Sequence, residues 1–289
     1  MCAVCGTSTE SAIPLKLTFK KMHGAGNDFV VIDARERPLE LTPAQARHLA
    51  DRHRGIGCDQ ILVLIPAHDA RADFGYRIYN AAGGEVQQCG NGARALALFA
   101  CPNASPQREL RMQSPVGIVR ASFTADGLVS VDMGRANFEP ASLPFAYDPQ
   151  QDFYDLDVGG DTLRIGAVSM GNPHAVIVVD SIDTAPVARL GPALQQHPAF
   201  AQSVNVGFMQ IVSRERIALR VFERGVGETL ACGTGACAAV AIGVKRKALD
   251  ANVTVALPGG ELMVNCAHMN EAIWLTGPAH FSFEGQIEL

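Results

Sequence analysis

The chain contains the same ten-residue pattern twice, and this repeat constrains its fold more than any other feature. Residues 85–94 read EVQQCGNGAR and residues 228–237 read ETLACGTGAC, so both fit E-x-x-x-C-G-x-G-A. The two cysteines, Cys89 and Cys232, are 232 − 89 = 143 positions apart in a chain of 289 residues. An apolar, alanine-rich run follows each cysteine. We therefore predict two related halves, each with one cysteine at the start of a helix.

These two helices, predicted over residues 89–101 and 232–247, have apolar residues on nearly every face. A helix that is hydrophobic all round is buried all round. Many short strand patterns surround each helix in the sequence. The predicted fold class is therefore α/β (α+β), with two pseudo-symmetric lobes. Each lobe is a curved, mainly antiparallel sheet wrapped around a central hydrophobic helix, and the active site lies in the cleft between the lobes.

The remaining pattern predicts two further helices, at residues 42–51 and 185–197. Strands are predicted at 15–33 (two, around a glycine turn), 60–65, 74–80, 110–133 (three), 167–179, 204–211, 217–222, 253–257, 262–266 and 271–276. Residues 135–160 are predicted to form a crossover between the halves. The first lobe is expected at residues 1–133, with 1–15 as a flexible extension, and the second at 134–289. The last strand, about residues 278–289, is expected either to stay in the second lobe or to return to the first.

Composition excludes several classes of protein. A chain with 48% hydrophobic and 18% charged residues is globular, and a net charge of −5 gives no support for nucleic-acid binding. No apolar run reaches the roughly 18–20 residues that span a bilayer, and no signal-peptide core is found, so we expect a cytoplasmic protein. The eight cysteines are expected to be reduced thiols. Cys2 and Cys5 form one C-x-x-C, but a zinc site needs a second pair, so we expect no metal.

The repeat extends to polar residues at the predicted strand ends. Three pairs of amides and acids recur at nearly the same offset as the cysteines. They are Asn27 and Asn172 (145 apart), Gln60 and Asn205 (145 apart), and Asn80 and Glu223 (143 apart). We therefore expect these six side chains at equivalent strand ends around the cleft.

The Cys-Gly-x-Gly pattern at a helix start indicates a site for an anion. Backbone N–H groups and the helix dipole bind an anion such as a carboxylate there, and we expect the same field to lower the pKa of the thiol toward neutrality. The lysine of a phosphate loop and the third glycine of a dinucleotide fingerprint are both missing. Two opposed thiols suit removal of a proton from one face of a carbon next to a carboxylate and its return to the other face.

The chain resembles the diaminopimelate epimerase family. The resemblance lies in five motifs, KMHGAGNDF at 21–29, CGNG at 89–92, GNPH at 171–174, ERGVGET at 223–229 and ACGTG at 231–235, and it covers essentially all of residues 16–289. It implies a cofactor-independent epimerase that interconverts LL- and meso-2,6-diaminopimelate in lysine and peptidoglycan-precursor synthesis. It also implies no pyridoxal phosphate, no metal and a homodimer.

The resemblance further implies roles for residues that match the family motifs. Cys89 and Cys232 would be the catalytic pair, with His174 and Glu223 tuning the two thiols. Gly90, Asn91, Gly233 and Thr234 would offer backbone N–H groups to the reacting carboxylate. The full set of implied substrate-binding residues is Asn27, Gln60, Asn80, Gly90, Asn91, Asn172, Asn205, Glu223, Arg224, Gly233 and Thr234.

Two other functions stay open from the sequence. A proline or hydroxyproline racemase also uses two cysteines, but Arg224 and the nearby amides favour a substrate with a second amino-acid head group. A thiol redox or ligand-binding protein could instead use Cys89 and Cys232 as a regulatory disulfide. Taken alone, His174 would be a structural histidine and Asn27 a turn residue. The matching offsets between the two halves are what favour a functional role for His174 and Asn27 together.

Overall fold

The computed structural model describes residues 16–87, 89–147 and 149–289; the predicted extension at 1–15, with Cys2 and Cys5, lies outside the described residues. The helices are α1 (Pro43–Ala50), α2 (Gly90–Ala100), α3 (Val187–Gln195) and α4 (Gly233–Lys245), and a 3₁₀ turn covers Pro140–Ser142. The strands are β1 (Lys16–Gly24), β2 (Asn27–Asp33), β3 (Gln60–Ile65), β4 (Phe74–Asn80), β5 (Glu85–Val86), β6 (Glu109–Ser114), β7 (Gly117–Phe123), β8 (Val129–Asp132), β9 (Tyr154–Val158), β10 (Asp161–Ser169), β11 (Pro173–Val178), β12 (Asn205–Ser213), β13 (Arg216–Glu223), β14 (Gly227–Thr229), β15 (Asn252–Leu257), β16 (Gly260–Asn265), β17 (Trp274–Gly277) and β18 (His280–Glu288). Across these described ranges, every helix is too short or too polar to cross a membrane.

The sequence repeat is also a repeat of strand register. In the first lobe β2 pairs in parallel with β3, and Phe29 lies opposite Gln60. In the second lobe β11 pairs in parallel with β12, and His174 lies opposite Asn205. His174 lies 145 positions after Phe29, and Asn205 lies 145 positions after Gln60. The two lobes are therefore built on one plan, and the predicted fold class is confirmed.

The last strand of the chain lies beside the first strand. Strand β9, the first strand after β8, pairs with β10, the next strand of the second lobe. Strand β18 follows β17 of the second lobe but pairs along its whole length with β1 of the first. The two sheets meet where β8 pairs antiparallel with β17. The division of the chain at residues 133 and 134 stays a prediction.

The largest core cluster is continuous across both lobes. It contains the buried faces of α2 and α4, with Leu96 and Val240 fully buried, and Leu275 of β17 beside them. Two smaller clusters lie under α1 and under α3, which cover the outer faces of the sheets. The prediction of two central helices buried on nearly all sides is correct for α4, and for α2 as far as Ala97.

Two local predictions were wrong, and two short strands were missed. Residues 167–179 form two strands rather than one, because the backbone reverses at Gly171, which has a left-handed φ of 87°. The predicted crossover at 135–160 contains β9, whose alternating YDLDV pattern was obscured by nearby prolines and acids. The short strands β5 and β14, which lead into the two cysteine loops, were not predicted.

Candidate active site

The N-termini of α2 and α4 face each other where the two lobes meet. A Cβ atom built on Gly233 would lie 3.8 Å from the Cα atom of Gly90 and 2.9 Å from Cδ2 of Leu275. A Cβ atom on Gly90 would lie 3.2 Å from the same Leu275 atom. The two helix starts therefore approach closely because both begin with glycine. Cys89 and Cys232 are the N-cap residues of these helices.

The two thiols have different immediate partners. The Cys89 sulfur accepts the backbone N–H of Gly92 at 3.3 Å and lies 3.9 Å from Oδ1 of Asn27. The Cys232 sulfur lies 3.6 Å from the hydroxyl of Thr234, and the backbone N–H of Gly235 lowers its pKa. Neither cysteine is in a disulfide.

Burial raises the pKa of the Cys89 thiol to about 11 and raises the pKa of the Cys232 thiol well above its ordinary value. The negative charge of Glu223 raises both further. Our expectation that the helix field lowers these pKa values toward neutrality was therefore wrong. The Gly92 N–H does lower the pKa of Cys89, but the loss of hydration of the thiolate outweighs it.

Glu223 is the acid that acts on both thiols. It ends β13, as predicted from the repeat, and its Oε1 accepts the hydroxyl of Thr229 at 2.5 Å. Thr229 lies on β14, the short strand just before the Cys232 loop. The carboxylate is thus held between the strand end and the loop that carries the second cysteine.

His174 is buried and electrically neutral. Burial lowers its pKa to about 3, and the charge of Arg224 lowers it as well. Its Nε2 lies 3.0 Å from Oδ1 of Asn172, and a neutral ring must donate the proton in that bond. The Nδ2 of Asn172 then donates to the Thr234 hydroxyl at 3.4 Å. His174, Asn172 and Thr234 form one chain leading to the start of α4.

Asn205 and Arg224 are linked through the backbone. The Asn205 side chain donates to the carbonyl of Pro173 at 3.0 Å and accepts the backbone N–H of Arg224 at 2.9 Å. The Arg224 side chain is exposed, and its Nη1 donates to the carbonyl of Gln202 at 2.9 Å. Asn205 therefore holds the turn that presents Arg224.

The first lobe supplies three more amides from the predicted set. Gln60 has a buried Oε1 without a hydrogen-bond donor in the described part of the chain, so this atom is available to a ligand. Asn80 accepts the N–H of Gly84 at 2.9 Å. Asn91 is buried, and its Oδ1 accepts Nη2 of Arg94 at 2.7 Å.

Sequence reasoning missed two residues beside the site. Arg94 was taken as part of an apolar helix, yet it is fully buried, burial lowers its pKa to about 10, and its Nη1 finds no partner among the described residues. Asp59 was not singled out, although it accepts the Asn27 side chain at 2.7 Å. A lone arginine in an alanine-rich helix is the signal that could have revealed Arg94. Over the described ranges, no group of three His, Cys, Asp or Glu side chains could hold a metal ion.

The sequence model of the diaminopimelate epimerase family matches residues 19–139 and 166–282. The chain is 52% identical to the diaminopimelate epimerase of Thioalkalivibrio sulfidiphilus over 278 residues, which is 95% of this chain and 100% of that protein. It is also 52% identical to the diaminopimelate epimerase of Laribacter hongkongensis, with the same coverage. The chain belongs to the diaminopimelate epimerase family.

Solved structures outside this family share the fold. A hydroxyproline epimerase from Agrobacterium vitis, with bound trans-4-hydroxy-L-proline, has a TM-score of 0.67 at 17% identity, over 95% of this chain and 93% of that chain. A Bacillus anthracis phenazine biosynthesis protein of the PhzF family also has a TM-score of 0.67, at 15% identity, over 94% and 99%. At such identities the likeness extends to the fold alone, so the diaminopimelate epimerase family assignment rests on the sequence relatives.

Proposed function

We propose that this protein is a diaminopimelate epimerase that interconverts the LL and meso forms without a cofactor. Cys89 and Cys232 are the acid–base pair in this proposal. The observation that carries it is the meeting of two helix N-termini, one from each lobe, each capped by a cysteine. The names of the curated relatives supply the substrate.

In the proposed reaction one thiolate removes the α-proton and the opposite thiol returns a proton to the other face. Negative charge then flows into the substrate carboxylate. Backbone N–H groups at the two helix starts, from Gly90, Asn91, Gly233 and Thr234, stabilise that charge because they are already oriented toward it.

The raised thiol pKa values suit this chemistry. A thiolate whose conjugate thiol has a pKa of about 11 is a stronger base toward carbon than one near neutrality. Ionising this thiol in the cleft is costly until a positive charge arrives. The substrate's ammonium group supplies that charge, because an opposite charge nearby favours the ionised form.

Recognition of the distal head group is assigned to Asn80, Asn172, Asn205 and Arg224. Arg224 can hold a carboxylate through two parallel N–H bonds. Asn205 supports it by accepting its backbone N–H. Gln60, whose buried oxygen finds no donor among the described residues, is suited to accept a hydrogen bond from an ammonium group.

The test is hydrogen–deuterium exchange at the α-carbon of diaminopimelate in deuterated water, without added cofactor. Wild-type protein should exchange the α-proton and epimerise the substrate, and Cys89→Ala and Cys232→Ala should each abolish epimerisation. Cys101→Ala, at the far end of α2, is the matched control and should retain activity. Near-native turnover by either active-site variant would exclude the two-thiol mechanism.

A thiol redox protein is the competing function from another class. If the protein has this function, the Cys89 and Cys232 pair should exchange electrons reversibly with a thioredoxin-like partner. If it is an epimerase, its activity should require reductant. Both cysteines are free thiols in the structure. Opposed thiols in one cleft can also oxidise, and this would inactivate the enzyme.

We further propose that the enzyme serves lysine and peptidoglycan-precursor synthesis in the cytoplasm, as a homodimer. The dimer is supported by two exposed aromatic side chains on β18, Phe281 and Phe283, which are 51% and 49% exposed. Neighbouring exposed aromatic residues are typical of an interaction surface.

A further inference from the structure

Asn27 and Asn172 occupy equivalent positions in the two lobes, but their amides are held in opposite senses. Asn27 donates its Nδ2 to Asp59 at 2.7 Å, which leaves Oδ1 as the atom 3.9 Å from the Cys89 sulfur. Asn172 has its Oδ1 engaged by His174 and directs Nδ2 toward Thr234. The first lobe thus presents a hydrogen-bond acceptor to its cysteine, whereas the second directs an amide donor toward the start of α4.

Asp59 imposes the orientation of Asn27. A carboxylate only accepts hydrogen bonds, so Asn27 must turn its NH₂ group toward it. The same Asp59 oxygen also accepts the backbone N–H of Asp28 at 3.1 Å. The other Asp59 oxygen accepts Nη2 of Arg52 at 2.9 Å.

A balanced cluster of charges holds Asp59 in place. Arg52 binds both oxygens of Asp28, at 3.0 and 2.8 Å. Lys21 binds Asp28 at 2.6 Å and also the carbonyl of Gly57. Two cations and two carboxylates therefore form one network that ends at the Asn27 amide.

The second lobe has no counterpart of this network. At an offset of 145, Asp28 becomes Pro173, Asp59 becomes Val204, Arg52 becomes His197 and Lys21 becomes Gly166. The neutral His174 holds Asn172 instead, and the position equivalent to His174 in the first lobe is Phe29. The two halves therefore share the amide but differ in the group that orients it, which is Asp59 in the first half and His174 in the second.

We propose that Asp59 is a positioning residue that turns the Oδ1 of Asn27 toward Cys89, favours the thiol form of that cysteine and so makes the two thiols unequal. An acceptor next to sulfur stabilises S–H, whereas a donor stabilises S⁻. If Asn27 turned over, the Cys89 sulfur would face two donors, the amide and the Gly92 N–H. The inference concerns the free thiol, and only its consequence for catalysis rests on the proposed function.

The test uses Asp59→Asn, which can both donate and accept and therefore frees Asn27 to turn. Alkylation of Cys89 and Cys232 by iodoacetamide is followed by peptide mass spectrometry across neutral and alkaline pH, without substrate. We expect the Cys89 rate at neutral pH to rise about tenfold, which corresponds to one pKa unit, and the Cys232 rate to stay unchanged. The other titratable groups that act on Cys89, namely Glu223, Arg94 and Tyr76, are left in place.

Asp33→Asn is the matched control, because Asp33 lies at the other end of β2 and pairs with Arg35 on the surface. It should leave both alkylation rates unchanged. An unchanged Cys89 rate in folded Asp59→Asn protein would overturn the proposal. So would an equal rise at Cys232, since that indicates general loosening of the cleft.

Asn27→Ala provides a second variant if Asp59→Asn does not fold. Removing the acceptor should also raise the Cys89 rate selectively, and a rate no higher than wild type contradicts the proposal. In the Asn27→Ala background, Asp59→Asn should cause no further change in the Cys89 alkylation rate. A further rise in that rate would mean that Asp59 acts directly through its charge. Deuterium exchange on the same samples reports on the proposed function separately, because alkylation needs no substrate.

Discussion

Two groups of opposite charge, the partly buried Glu223 and the buried Arg94, influence Cys89 from different elements. Glu223 raises the pKa of Cys89, whereas Arg94 on α2 lowers it. Arg94 has no carboxylate within ion-pair distance in the part of the chain described. A buried charge without such a partner does not stabilise a fold, so Arg94 is a candidate for a role in the site.

We expect Arg94→Met to lose activity without losing stability. The variant removes a charge-assisted bond to Asn91, which is worth about 1.5–3 kcal/mol, so α-proton exchange should fall roughly 10- to 100-fold. The melting temperature should change little, because removal of a buried charge offsets the loss of the hydrogen bond to Asn91. Arg54→Met, at an exposed arginine, is the control. A melting temperature lowered in proportion to activity would indicate a structural role instead.

His174 gives a predicted pH dependence of stability. Its pKa in the folded protein, about 3, lies below its ordinary value of 6.5, so the unfolded chain takes up the proton first. The contribution of His174 to the free energy of unfolding is complete above pH 6.5. It is lost as the pH falls toward 3, with a slope of about 1.4 kcal/mol per pH unit. Urea unfolding at neutral and mildly acidic pH should show a weaker pH dependence for His174→Gln than for wild type. The exposed control His53→Gln should match wild type.

At the scale of elements, Leu275 of β17 is the contact shared by both helix starts. Leu275→Ala should destabilise the fold by about 2–5 kcal/mol and also lower kcat, because the cavity lets the two N-termini shift relative to each other. Leu194→Ala is the matched control, since Leu194 is equally buried but lies in the separate core under α3. Its unfolding free energy should fall by a similar amount with kcat unchanged. Equal kcat in both variants would contradict this role for Leu275.

The features that repeat in the two halves could be predicted from the sequence. Both central helices, the strand ends that carry Gln60 and Asn205, and the N-cap cysteines followed from spacing and apolar pattern. The sequence could not decide whether β18 stays in the second lobe or pairs with β1, because strand pairing is set by tertiary packing and not by local propensity. The predicted direction of the thiol pKa shifts was wrong for the same reason. The helix dipole acts locally, whereas the burial of each thiol depends on the whole fold.

At the scale of the whole molecule, we expect wild-type protein to sediment as a dimer. The double variant Phe281→Ser with Phe283→Ser removes the exposed aromatic surface of β18 and should sediment as a monomer. Val212→Ser, at a 57% exposed residue of the second lobe, should remain dimeric. A monomeric wild type, or a variant that stays dimeric, would exclude this surface as the interface.

Substrate choice is the property that involves both lobes together. An epimerase that acts on one end of a two-headed substrate must recognise the far end, and leaving polar groups unpaired in a closed cleft is costly. We therefore expect turnover of LL- and meso-diaminopimelate and negligible activity on lysine, glutamate or proline. Comparable turnover of proline would assign the protein to the racemases while leaving the two-cysteine mechanism in place.

Arg224 is where this selectivity can be measured. Its guanidinium can bind a carboxylate through two parallel bonds, whereas a lysine ammonium acts as a point charge. Arg224→Lys should lower kcat/KM for diaminopimelate by roughly 10- to 100-fold, the equivalent of one charge-assisted bond of about 1.5–3 kcal/mol. Arg54→Lys, at an exposed arginine of the first lobe, should have no effect. An unchanged kcat/KM in Arg224→Lys would remove this residue from the substrate site and leave Asn80, Asn172 and Asn205 as the candidates for the distal head group.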